Sequence, residues 1–192
     1  MVFKKAVLLF WVVIPAVMAI STWTDGPTFD ISYDTDSGGV VFQTENLGSG
    51  DNLFLFFGAD KIGTDVIKFQ GSDGTVVDMF STDESTLDTD LQSHLTPVDR
   101  LGTTEAPWNL KTTRQLDTSA SDTDSQDIVF LCDGTTVISG FWEGTNDANT
   151  EFTATSTFSL VFAVDTCEVT LTDTTVVEEQ AEWLTYTISN NE

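Results

Sequence analysis

Arg114, Asp117, Asp122, Asp124 and Asp127 crowd into one short stretch of the run Asp99–Asp127. A basic residue on a strand precedes a loop dense in Asp, Ser and Thr, and an apolar run from Ile128 to Cys132 follows. Asp117, Asp122, Asp124 and Asp127 offer the hard oxygens that calcium takes from a flexible loop, and Asp83, Asp88 and Asp90 offer a second set. Neither run has the spacing and turn glycine of an EF-hand loop, so solvated turn carboxylates are the simpler reading. His94 is the sole histidine, and any Ser-His-Asp or Cys-His nucleophile would have to use it. No serine or cysteine lies in a nucleophile-turn context, and two cysteines with one histidine lack zinc-ligand spacing. Carboxylate pairs of the kind that hydrolyse glycosides lose diagnostic value in a chain with 31 acids. The expectation is a protein that is not an enzyme and carries no cofactor, with calcium as the alternative. Trp108 and Trp142 are the candidate ligand-binding residues. Trp142 follows Gly140-Phe141 and precedes a polar loop, a position from which it would stack on a sugar, anchor a partner, or close the end of a core.

The elements that must position these residues read as strands. Short runs rich in Val, Ile, Phe and Thr alternate with Gly, Asp and Ser clusters, the mark of an all-β sandwich or barrel. Expected strands are Thr28–Asp34, Val40–Glu45, Leu53–Gly58, Val66–Gln70, Val76–Phe80, Trp108–Leu116, Ile128–Cys132 and Thr136–Trp142. Phe152–Val164, Glu168–Thr172 and Glu182–Ile188 follow. Gly71-Ser-Asp-Gly74 between two apolar runs is the clearest hairpin turn. Leu87, Leu91 and Leu95 recur at helical spacing, consistent with a turn or two of helix or with a loop, and Val176–Leu184 also could start helically.

The 192 residues open with Lys4 and Lys5 before an apolar run from Ala6 to Ile20, which reads as a secretory signal peptide cleaved after Ala19, or alternatively as a retained anchor. The run is short against the roughly 20 residues of a membrane span. Residues 20–192 are then expected to form one domain in a secretory lumen or outside the cell, with no membrane span. Losing Lys4 and Lys5 leaves five of the seven basic residues against 31 acids, making the net charge −26 in place of −24. Such a chain repels nucleic acid and anionic membranes. With 40% apolar and 11% aromatic residues it is expected to fold, its acid coating the surface. In an oxidising compartment Cys132 and Cys167 read as a disulfide, the alternative being two buried thiols.

With the strands placed, a set of motifs emerges. Phe29-Asp-Ile-Ser-Tyr33, Leu53-Phe-Leu-Phe-Phe-Gly58, Gly63-Thr-Asp65-Val-Ile67 and Gly74-Thr-Val-Val-Asp78-Met-Phe-Ser81 come first. Asp90 with Gln92, Asp99 with Gly102, Arg114-Gln-Leu-Asp117-Thr118 and Asp124–Asp127 complete the series. Their order and spacing resemble the DOMON domain family from about Trp23 to Trp142, the match fading after Asn146 and almost absent after Cys167. The resemblance implies an immunoglobulin-like antiparallel β-sandwich whose pocket, in some members, holds b-type haem or a sugar. It implies a structural role for Arg114, Asp117, Asp124 and Asp127, with Asp side chains bonding turn amides and Arg114 paired to a nearby carboxylate.

Haem-binding relatives clamp iron between a Met, which precedes the Gly-x-Asp segment, and a late His. Here Lys61-Ile62-Gly63 stands at the Met position and no histidine follows the Asp-rich motif, which leaves Met79 with His94 as the alternative haem b pair. The function expected is a secreted non-catalytic module binding a carbohydrate or an extracellular protein. The alternatives are an electron-transfer cytochrome domain and a structural subunit that assembles with copies of itself.

Overall fold

The computed structural model describes residues 21–22, 27–83, 86–90, 92–119, 121, 126–146 and 154–178. Eleven strands build two antiparallel sheets, and no helix occurs among the described residues. The smaller sheet has the order β1-β2-β3-β8, with β1 at Ser21–Thr22, β2 at Thr28–Asp34, β3 at Gly39–Leu47 and β8 at Trp108–Gln115. The larger has the order β11-β10-β9-β4-β5-β6-β7. Its strands are β4 (Asp51–Phe57), β5 (Thr64–Gln70), β6 (Thr75–Ser81), β7 (Leu87–Thr89), β9 (Val137–Asn146), β10 (Ala154–Phe162) and β11 (Val169–Glu178). The chain is a two-sheet β-sandwich, as the strand pattern predicted.

Period-two alternation decides which side chains enter the core. Phe29 and Ile31 of β2, Val40 and Phe42 of β3, and Trp108 and Leu110 of β8 face Leu53, Leu55 and Phe57 of β4, Ile67 and Phe69 of β5, Trp142 of β9 and Phe158 of β10. Edge-on aromatic contacts, such as Phe29 on Trp142 and Phe57 on Phe130, tie the two inner faces together. A second apolar cluster of Phe54, Phe56 and Val66 lies on the opposite, outer face of the larger sheet, with Met79, Leu87 and Phe141 packed against it.

The Gly71–Gly74 turn joins β5 to β6 as expected. Gly74 has φ +64°, and a β-carbon there would meet the Trp108 ring at 2.7 Å, so only glycine lets the hairpin close over that indole. Elsewhere short-range bonds from Asp shape the turns. Asp133 accepts from the amides of Thr135 and Thr136 and from the Thr136 hydroxyl, which hold its carboxyl down at about 2.

Three expected elements differ. Leu87–Thr89 is a short edge strand on β6 and not part of a helix, because Ser81, Phe80 and Met79 offer it a ladder and Leu95 instead packs toward the main core. Residues 176–178 continue β11 rather than start a helix, paired with β10. Ile128–Cys132 forms no strand, although Phe130 donates its amide to Leu116 and buries its ring in the core. This segment is anchored by side chains and by the Cys132–Cys167 disulfide, which forms as predicted with a Cα–Cα distance of 5.0 Å. The signal-peptide region, Trp23, Leu91 and the expected strand Glu182–Ile188 lie outside the described residues.

Candidate functional site

Arg114 enters the core because β8 carries Trp108, Leu110, Thr112 and Arg114 in one inward phase. Its side chain is fully buried, so the guanidinium needs partners. Nη2 donates to Asp65 Oδ2 at 2.7 Å and Nη1 to Asp127 Oδ1 at 3.2 Å. Asp78 Oδ1 lies 3.8 Å from Nη1, close enough for attraction but too far for a good hydrogen bond. The rings of Phe130 and Phe42 flank the guanidinium carbon at 5.3 and 6.0 Å. Burial disfavours the charged arginine, yet Asp65, Asp127 and Asp78 outweigh it and the net shift of Arg114 is upward.

The carboxylates also fasten two connections to the sheets. Asp65 Oδ2 accepts the amide of Ile128 at 2.9 Å, and Asp78 Oδ2 accepts the amide of His94 at 3.0 Å. His94 Nδ1 stands 2.8 Å from Asp127 Oδ2. Segments joining β7 to β8 and β8 to β9 are thus pinned to β5, β6 and β8 by one cluster of ionisable groups. Three carboxylates surround a single guanidinium. Burial, only partly offset by Arg114 and aggravated by Asp65 and Asp127, pushes the Asp78 carboxyl up to about 7.

The carboxylate oxygens of Asp65, Asp78 and Asp127 lie within 4.8 Å of one another, but the cation packed among them is the Arg114 guanidinium. The cage is therefore a structural ion network that spans both sheets. Of the acids expected to gather as a calcium loop, Asp127 points inward to Arg114 and His94, whereas Asp117 is exposed and accepts the amide of Ser119. Those two do not share a site: the Asp117 carboxylate is exposed on its own turn and the Asp127 carboxylate is engaged by Arg114 and His94. Asp122 and Asp124 lie outside the described residues. Arg114 does pair with carboxylates, and its principal partner is Asp65. Asp65 and Asp78 each stood within a motif but were assigned no part in pairing with Arg114, although each had a readable signal. Asp65 is in phase with inward Ile67 and Phe69, and Asp78 with inward Val76, so each acid occupies a core-facing position.

Met79 and His94 are not brought together as a haem pair. Met79 packs on the outer-face cluster, while its neighbour Asp78 points the other way and receives the amide of His94. Trp108 and Trp142 do not present faces to a ligand either: they are 6% and 1% exposed. Trp108 donates Nε1–H to the Gly71 carbonyl at 2.7 Å beneath the Arg100 guanidinium, and Trp142 packs on Phe29. Both side chains fall on the inward phase of their strands, which turns them into core residues.

An open site lies on the outer face of the larger sheet. A groove of about 230 Å³ is lined by Gly58, Ala59, Ser139–Phe141 and Thr157–Ser159. Phe141 stacks flat on Phe56, with ring centroids 4.4 Å apart and planes 7° apart. Beside it Lys61 Nζ pairs with Glu143 Oε2 at 2.8 Å and lies over the Phe56 ring. Burial raises the Glu143 pKa, a shift that Lys61 opposes. The sequence pointed at tryptophans rather than at this groove, because its serines and threonines resemble those of any half-exposed strand.

No protein-family model matches the chain, and no curated protein matches it significantly. No helix among the described residues is long and apolar enough to cross a membrane.

Proposed function

We propose that the chain is a secreted, DOMON-like β-sandwich that acts as a non-catalytic binding module. The observation that carries this reading is the chemistry of the outer-face groove: an aromatic wall, three hydroxyls and backbone, with no ionisable side chain in its lining. A surface of that kind holds a ligand through shape, stacking and hydrogen bonds and has no group to move a proton. The ionisable residues that chemistry would need are engaged between the sheets, where Arg114, Asp65, Asp78, Asp127 and His94 hold connections in place.

The test is a panel of immobilised glycans and extracellular proteins probed with the secreted protein, with and without calcium. Specific, saturable retention without turnover of the captured molecule is the expected result. A Soret band in the purified protein, or chemical conversion of the captured molecule, would overturn the reading.

A further inference from the structure

The larger sheet carries an apolar patch on the side turned away from the core, where an antiparallel sheet commonly shows polar side chains to water. Phe56 and Val66, on that outer face, are only 1% and 0% exposed. Cross-strand neighbours such as Phe141 and Met79 shield the flanks of these side chains and not their tips. Lys61 lies over the Phe56 ring and Lys68 over the Phe54 ring, so their stems cover part of the patch. The tip of Val66 needs another cover.

Charge narrows the choice of occupant. One cross-strand row of the patch runs from Thr155 through Glu143, Phe54 and Lys68 to Val77, and the next holds Phe141, Phe56, Val66 and Met79. Glu143 is the one acid in these rows and is matched by Lys61, which leaves Lys68 as a cation on a chain of net charge −24. An apolar occupant bearing carboxylates suits such a face. Residues 179–192, which lie outside the described residues, have that composition. They hold Trp183, Leu184, Tyr186 and Ile188 with Glu179, Glu182 and Glu192, and no basic residue.

β11 delivers this segment beside the patch. Val177 pairs with Thr155, in the row of Phe54 and Lys68, and β11 ends one residue later at Glu178. Neighbouring strands lie about 4.8 Å apart, so Phe54 on β4 is about 14 Å from β11 and Lys68 on β5 about 19 Å. Five extended residues span at most about 18 Å, so Trp183, five past Glu178, reaches the patch. We propose that residues 179–192 dock on the outer face of the larger sheet, with Trp183 on the patch of Phe54, Phe56 and Val66 and with Glu179 or Glu182 toward Lys68. Phe141 separates this patch from the groove, so the docking is independent of ligand binding there.

The test is carbodiimide cross-linking, which joins an amine to a carboxylate in direct contact, on an equal mixture of unlabelled and isotope-labelled intact protein. The Lys61–Glu143 pair supplies the internal control. A link from Lys68 to Glu179 or Glu182 within one copy is expected. Trp183→Ser should weaken that link several-fold and raise the emission of an added hydrophobic dye several-fold, as apolar surface is uncovered. Absence of the Lys68 link while the Lys61–Glu143 link forms overturns the proposal. Links found only between unlike-labelled copies overturn it and assign the face to a second copy of the chain. A link and a dye signal both unchanged in Trp183→Ser overturn it as well, because the apolar contact is then not what holds the segment.

Discussion

Asp78→Asn removes the one carboxyl of the buried cluster whose proton affinity is lifted to about 7, from 3.8 for an ordinary aspartate. A rise of ~3 units at about 1.4 kcal/mol each sets a ceiling of about 4 kcal/mol on the free energy linked to that proton. The sign follows from proton counts. Between about pH 4 and pH 7 the unfolded chain has released the Asp78 proton while the folded protein keeps it. The folded state binds more protons there, so the stability contributed by this group is full below pH 4 and is lost as pH rises through 7. Asparagine resembles the protonated acid in shape, can accept the His94 amide, and has no proton to lose. Relative to wild type, the variant should therefore gain about 3–4 kcal/mol on going from pH 4 to pH 8. Any fixed cost of the amide cancels in that difference. Burial of the Asp78 side chain leaves little solvent to screen the effect. Urea unfolding followed by fluorescence of the buried Trp108 and Trp142 at pH 4, 5, 6, 7 and 8 measures it directly. A stability difference that stays constant across this range would refute the assignment of Asp78 as an acid left under-compensated by Arg114.

Further outcomes concern the network and its ties. Arg114→Met strands Asp65, Asp78 and Asp127 in the interior and should cost about 3–5 kcal/mol in chemical denaturation. Arg114→Lys should fall between it and wild type, because one ammonium cannot fork to Asp65 and Asp127 at once; equal stability of all three proteins would contradict the network. Reducing Cys132–Cys167, 35 residues apart, should destabilise by about 3.8 kcal/mol on the chain-entropy model, read as a lower urea midpoint in the presence of reductant. Trp108→Phe leaves the Gly71 carbonyl without its indole donor and should cost about 1 kcal/mol or somewhat more.

Much of the sandwich was legible because its strands alternate cleanly. Thr28–Asp34 matches β2 at both ends, and β3, β4, β6 and β8 differ from expectation by a residue or two. Leu87, Leu91 and Leu95 misled because helical spacing over so few residues carries little weight against a free sheet edge. Ile128–Cys132 misled in another way. Phe130 is buried, as a strand residue would be, yet Leu131 is 48% exposed, and the segment is held by the Asp65 bond to the Ile128 amide and by the disulfide, whose partners lie far away in sequence. The same distance explains the site. Arg114 was visible as a cation on a strand, whereas its partner Asp65 is 49 residues away, and although it stood in a motif only the phase of β5 shows that it points into the core. The groove was illegible for a different reason, since it arises from register: Ser139 opposite Ser159, and Phe141 opposite both Phe56 and Thr157.

The central claim is that ligand binds on the outer face of the larger sheet while the ion network between the sheets serves the fold. Hydrogen–deuterium exchange of the protein, with and without a glycan retained on the panel, tests it most directly. Ligand-dependent protection is predicted in peptides covering Ser139–Phe141 and Thr157–Ser159, with exchange around His94, Arg114 and Asp127 unchanged. Protection confined to the His94 and Asp127 segments, with the β9–β10 surface unaffected, would contradict it.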